Sequence, residues 1–136
     1  MTITICGSMK FAKQMFEIEE VLKNNGHEVY IPKHSERFTG DDSLKNDIQF
    51  LIRGDYMQNH FEKIEKSEAI LVLNYQKNKI DNYIGGNTLM EMGIAKYLGK
   101  KIYLYNNIPS KDVLSYSTEI EAVEPIVINN NLELIK

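Results

Sequence analysis

Two short apolar runs constrain this chain more than any other feature. Ala69-Ile70-Leu71-Val72-Leu73 and Ile102-Tyr103-Leu104-Tyr105 are rich in β-branched, aromatic and leucine side chains, and no charged residue interrupts them. Runs of that length and composition read as strands buried on both faces, which is the condition of a parallel sheet covered by helices. Between them lies Asp81 to Lys100, with Gly85-Gly86 followed by Leu89, Met90, Met92, Ile94, Ala95, Tyr97 and Leu98. That pattern predicts a mostly buried helix, capped by Asn87 or Thr88 and ended by Gly99. Glu91 is the one acid in it. An acid at the start of a buried helix, after a glycine turn at the carboxyl end of a strand, sits where open α/β sheets bind ligands. A plainer reading stays open. Thr88-Leu89-Met90-Glu91 has the form of a capping box, with Glu91 bonding back to the Thr88 amide.

The rest of the chain repeats the alternation. Thr2 to Cys6 predicts a first strand and Gly7-Ser8 a turn. A helix then runs to about Asn25, with Phe11, Met15, Ile18 and Leu22 on one face and Asn25-Gly26 as its stop. His27 to Ile31 predicts a second strand, closed by Pro32. A helical region from about Asp41 to Lys66 follows, interrupted at Gly54. Thr118 to Glu124 predicts a short helix opened by a second capping box, and Ile126-Val127-Ile128 a fifth strand. Five strands alternating with helices imply a single-domain α/β fold, a doubly wound five-stranded parallel sheet. The simplest arrangement of right-handed crossovers is the flavodoxin-like order 2-1-3-4-5. The first and third strands are then neighbours, and their carboxyl-end turns, Gly7-Ser8 and Gly85-Gly86, face each other across one crevice.

With 136 residues the chain can build one complete core, and its net charge of −3 comes from mixed acids and bases. No basic block suggests a nucleic-acid surface. A single cysteine, Cys6, excludes an internal disulfide framework and reads as a small core residue. No signal pattern or membrane-length run is present, so a cytoplasmic protein is expected. Three scattered histidines make a poor ligand set, and neither a metal nor another cofactor is expected. Gly7-Ser8-Met9 lacks the later glycines of a dinucleotide fingerprint. A Gly-Ser turn before a helix can still hold an anion, with Lys10 and Lys13 nearby, or it can be a plain connection. His34 and Arg37, in a polar loop from Lys33 to Asp42, could meet a phosphate or a base, or could be ordinary loop polars.

The segment Gly85-Gly86-Asn87-Thr88-x-x-Glu91-Met92-Gly93-Ile94-Ala95, followed by Gly99-Lys100 and a strand, resembles the nucleoside 2-deoxyribosyltransferase-like family. That family includes nucleoside transferases and nucleotide N-glycoside hydrolases. Ile3-Thr4-Ile5-Cys6-Gly7-Ser8 is similar to its first strand and glycine turn, so the resemblance spans most of residues 1–136 as one domain. It implies that Glu91 attacks the anomeric carbon. It implies also that Asp55, one helix before the catalytic strand, protonates the leaving base; from the residues alone Asp55 could equally be an N-cap. Gly7, Ser8, Gly85 and Gly86 would bind the substrate, with Asn87 and Thr88 beside them. Asp81 would orient sugar or nucleophile, although it lies farther from Glu91 than the family's acid does, and Asn82 or Asn87 could take its place.

The expected activity is cleavage or transfer of the N-glycosidic bond of a nucleoside or nucleoside 5′-monophosphate, through a glycosyl ester on Glu91. A non-catalytic nucleotide sensor on the same fold is the alternative, since fold alone never assigns function. A flavin-binding redox protein would need a richer phosphate loop than Gly7-Ser8-Met9-Lys10-Phe11. The expected partners are a nucleoside or nucleotide and a second copy of the chain, in a homodimer or higher homo-oligomer, with Tyr56, Tyr83, Tyr97 and Tyr116 supplying contact surface.

Overall fold

The computed structural model describes residues 1–32 and 56–136. His34, Arg37, Asp55 and the helical stretch expected from Asp41 to Gly54 lie outside the described residues. The elements are β1 (Thr2–Gly7), a 3-10 turn (Met9–Phe11), α1 (Ala12–Asn24), β2 (Glu28–Tyr30), α2 (Tyr56–Lys66) and β3 (Ala69–Leu73). They continue with α3 (Gly86–Tyr97), β4 (Lys101–Leu104), α4 (Ser117–Ala122), β5 (Ile126–Val127) and a closing 3-10 turn (Leu132–Leu134). The strands form one sheet in the order β2-β1-β3-β4-β5, and every pairing is parallel. That is the doubly wound order expected from the sequence. No helix among the described residues is long and apolar enough to cross a membrane.

Strand alternation divides the core into two layers. Ile3 and Ile5 of β1, with Ala69, Leu71 and Leu73 of β3, pack against Ala12, Met15, Ile18 and Leu22 of α1. Cys6, Ile70, Val72, Ile102 and Leu104 face the other way, toward Ile64 of α2, Met92 and Ala95 of α3 and Ile120 of α4. Every residue of β3 is buried, as a central strand covered on both faces requires.

Two helices end as their glycines dictate. Gly26 (φ +93°) and Gly99 (φ +71°) lie in the left-handed region just past α1 and α3. The bonds His27 N–H to Leu22 O and Gly26 N–H to Lys23 O close α1, and Lys100 N–H to Ala95 O and Gly99 N–H to Lys96 O close α3. Both are Schellman motifs. The helix starts differ from expectation. Gly85, not Asn87 or Thr88, is the N-cap of α3, and no side chain caps it. The capping box read at Thr88–Glu91 therefore does not form, because the helix begins a turn earlier and Glu91 falls beyond the first turn. The Thr118–Glu121 box is likewise displaced: α4 starts at Ser117 and its N-cap is Tyr116, again without a side-chain bond. Tyr56 is buried in the α1-side core, so it is not available as contact surface, whereas Tyr97 is 88% exposed.

Gly7 is held at φ +153°, and a Cβ there would stand 2.9 Å from the Leu73 carbonyl oxygen of the neighbouring strand. Gly7→Ala is expected to destabilise the fold by about 1–3 kcal/mol, through strain and a backbone clash together. Gly99→Ala, which meets nothing within 4 Å, should cost only the left-handed conformation, about 1 kcal/mol. Urea unfolding of the two variants checks the order; equal losses would contradict it.

Candidate active site

The carboxyl ends of β1 and β3 are adjacent, with Gly7 opposite Leu73 and Cys6 opposite Val72. The turns that leave them bound a cleft lined by Gly7, Ser8, Met9, Tyr56, Gly85, Asn87, Thr88 and Glu91, about 300 Å³ including its open mouth. Of the residues singled out in the sequence, Gly7, Ser8, Gly85, Asn87, Thr88 and Glu91 are brought together there. Gly86 opens α3 one position on and is exposed. Asp81 is exposed and accepts a hydrogen bond from Gln76 Nε2 at 2.8 Å, away from the cleft lining.

Glu91 reaches the sheet because of helical phase. The buried residues of α3 are Thr88, Glu91, Met92 and Ala95, one stripe at i, i+3, i+4 and i+7. Glu91 takes a core position in that stripe and is only 6% exposed. Its Oε2 lies 3.3 Å from His60 Nε2, and the Cys6 Sγ is 3.5 Å from the same nitrogen. His60 is fully buried and comes from the stripe Tyr56–His60–Ile64 of α2. Sequence reasoning passed over it. The available signal was a histidine set between two core positions at helical spacing.

Burial dominates the electrostatics. It pushes the Glu91 carboxyl up from an ordinary value of 4.5 to about 8. It pushes His60 down from 6.5 to about 3, helped by the charge of Lys63 and opposed by a backbone hydrogen bond to Ile5. Burial and then the Glu91 charge raise the Cys6 thiol well above its ordinary value. Burial, then Glu91 and Cys6, raises Tyr56. At neutral pH the cluster thus favours an uncharged state.

Cys6, His60 and Glu91 offer ligand atoms within 4.8 Å of one another. The chemistry of the set does not fit a resident metal ion. A ligating imidazole passes its other N–H to an acceptor, whereas His60 Nδ1 has no hydrogen-bond partner.

The opposite rim is built from Ser8. Its Oγ accepts from Lys10 N–H at 3.3 Å, capping the 3-10 turn, and from Lys77 Nζ at 3.0 Å. Lys77 arrives there through a tight hairpin in which Lys77 and Ile80 exchange backbone hydrogen bonds. The two residues between them, Asn78 and Lys79, have φ +53° and +63°, the signs of a type I′ turn. The Lys77 ammonium also lies 5.1 Å from the centre of the Tyr83 ring.

No family model matches the sequence, and no curated protein matches it. Among solved structures, the fold is similar to that of a 2-deoxyribosyltransferase from the psychrotolerant bacterium Bacillus psychrosaccharolyticus. The TM-score is 0.56, over 93% of this chain and 98% of that one, at 18% sequence identity. At that identity the likeness concerns the fold: this chain has a nucleoside 2-deoxyribosyltransferase-like fold.

The raised Glu91 carboxyl has a consequence for stability. A group that binds its proton more tightly when folded contributes fully below its unfolded value, here 4.5, and loses that contribution as pH rises through about 8. Glu91→Gln removes the titration. The variant should therefore gain on the parent between pH 5 and pH 8, by a few kcal/mol at the alkaline end, since each tenfold change in proton affinity is worth about 1.4 kcal/mol. Denaturant melts at pH 5 and pH 9 measure this; a Glu91→Gln protein whose stability relative to the parent does not rise between the two would contradict it.

Proposed function

We propose that this protein cleaves or transfers the N-glycosidic bond of a nucleoside or nucleoside 5′-monophosphate, with Glu91 as nucleophile. The observation that carries the reading is a nearly buried carboxyl on the edge of a cleft between two strand-end turns, at the topological switch point of the sheet. The fold likeness to a 2-deoxyribosyltransferase supports the class of reaction. A Glu91 carboxylate oxygen would bond to C1′ as the C1′–N bond breaks, and the electron pair would leave with the base. Asp55 is assigned to protonate that base, on the family resemblance. A water oxygen or the nitrogen of a second base would then attack C1′, returning the carboxylate and giving net retention. Gly7, Ser8, Gly85, Asn87 and Thr88 would hold the sugar. Gly86 would shape the same turn, and Asp81 would act from the loop before it.

A carboxyl raised to about 8 is about one-tenth ionised at pH 7. Since only the carboxylate attacks, kcat/KM should rise about tenfold per pH unit below pH 8 and level off above it. The test is a panel of nucleosides and 5′-nucleotides, ribo and deoxy, with and without an acceptor base, read as released or exchanged base. Some member should lose its base, and Glu91→Gln should abolish this while the protein stays folded. Unchanged turnover in Glu91→Gln overturns the nucleophile assignment. Nucleotide binding without turnover across the panel would instead favour a sensor.

The assembly expected is a homodimer or a higher form built from dimers. Met90 and Tyr97 are exposed at 45% and 88% on the outer side of α3, the helix that carries Glu91. Light scattering should report a dimer whose mass falls when Tyr97 is replaced by Glu; a monomer at high concentration would count against it.

A further inference from the structure

We propose that His60 is the positioning residue of Glu91: its Nε2–H, with the Cys6 thiol beside it, holds Oε2 against the sheet and leaves the other carboxylate oxygen to the cleft. Three observations converge on this. His60 Nε2 is the one ionisable nitrogen at ion-pair distance from Glu91 among the described residues, at 3.3 Å. The ring is completely buried on the stripe that α2 presents to β1 and α3. The Ile5 backbone favours a protonated ring nitrogen, but no hydrogen bond of good geometry reaches Nδ1, and a buried N–H without an acceptor is rarer and costlier than an unfilled acceptor. The ring proton therefore belongs on Nε2, where Glu91 Oε2 and Cys6 Sγ can accept it. At 3.3 Å the contact is long, as catalytic contacts often are before a substrate arrives.

The groups around the carboxyl define what His60 contributes. β1 presents Cys6, held as a neutral thiol. α2 presents Tyr56, also held neutral, and His60. The next helical turn of α2 carries Lys63, whose ammonium donates to the Ile31 carbonyl oxygen at 2.7 Å. α3 contributes Glu91 itself, and on the far rim Lys77 donates to Ser8. With burial opposing the charge, a donor on Oε2 favours the ionised form. A neutral donor does so without an ion pair, so the carboxylate stays nucleophilic when it attacks and is stabilised when it leaves the glycosyl ester. His60 is suited to that role because the same burial holds its ring neutral.

The inference rests on the Glu91 reading for its kinetic arm alone; a second arm reads the carboxyl directly. Glutamate labelled with 13C at the side-chain carboxyl, assigned through Glu91→Gln, reports the titration of Glu91 without any substrate. His60→Leu should move that titration upward by about one pH unit or more. It should lower kcat at pH 7 about tenfold while KM stays near the parent value, because the group moved is not a substrate contact. His60→Gln, which keeps an N–H donor, should recover part of both changes. Ring 15N shifts of the unaltered protein should show the proton on Nε2. A Glu91 titration unmoved in His60→Leu overturns the proposal, as does a proton found on Nδ1. If His60→Leu fails to fold, the nitrogen shifts and the Gln variant decide. Should Glu91→Gln retain activity, the nucleophile reading falls, and the carbon titration still tests the His60 contact by itself.

Discussion

The burial of one carboxyl group is the constraint on which the site depends. Glu91 occupies a core position on α3, between Thr88 and Met92 on the face turned to the sheet. A charge there loses most of its hydration, and the fold meets that cost by letting the group keep its proton. His60, Cys6 and Tyr56 surround it as groups that are themselves held uncharged. A permanently charged partner would have lowered the local cost and fixed the carboxylate in an ion pair. The chain instead assembles a neutral cluster whose members differ in proton affinity, which is how one site can hold a proton and also release it.

The sheet order makes this cluster possible. Placing β1 beside β3 puts Cys6 and Gly7 level with Val72 and Leu73. The two faces of β1 then serve different purposes. Ile3 and Ile5 fill the α1 side of the core, while Thr4 and Cys6 face the side of α2 and α3. Thr4 Oγ1 is satisfied by Ser67 Oγ at 2.6 Å, and Ser67 in turn donates to the Lys63 carbonyl oxygen. This polar seam, Thr4–Ser67 and Cys6–His60–Glu91, runs along the sheet where α2 packs on β1, toward the cleft. Gly7 ends β1 in a conformation that lets the Leu73 carbonyl come close, so the two strand ends stay level and their turns open into one crevice.

Much of this was legible in the sequence. The five strands, their parallel arrangement and their order follow from apolar runs alternating with helical periodicity, because both signals arise from burial on two faces. The paired glycines and Glu91 were legible because a lone acid in an apolar helix is conspicuous. The helix start was not. Thr88 has the chemistry of a cap, but the chain turns helical at Gly86, and Thr88 falls inside the helix, on the cleft lining. His60 was hidden for a different reason. Its helix reads as an amphipathic stripe with or without the histidine, and only the neighbouring β1 and α3 make a ring at that position meet Glu91 and Cys6. Lys77 was hidden by its turn: Asn78-Lys79 carries none of the glycine that usually marks a type I′ hairpin, so the residues before Ile84 read as a loop.

Burial and nucleophilicity therefore oppose each other in this cleft. A more open site would ionise Glu91 readily but would admit water to any ester formed on it. A more closed one would exclude water and also keep the carboxyl protonated. A neutral donor on Oε2 loosens that coupling, because it favours the carboxylate without opening the cleft. It does so from inside the core, on a helix face and a strand that are already packed, so no loop has to order itself first. The Ser8 rim, with Lys77 and the 3-10 turn, lies across the same cleft and is bonded independently. If that rim holds a ligand's polar groups, as proposed, its contacts are separate from the acid–imidazole contact on the other wall. On the proposed reading, that division, a buried pair on one wall and a turn-built rim on the other, would let the nucleophile stay fixed while contacts to the ligand differ.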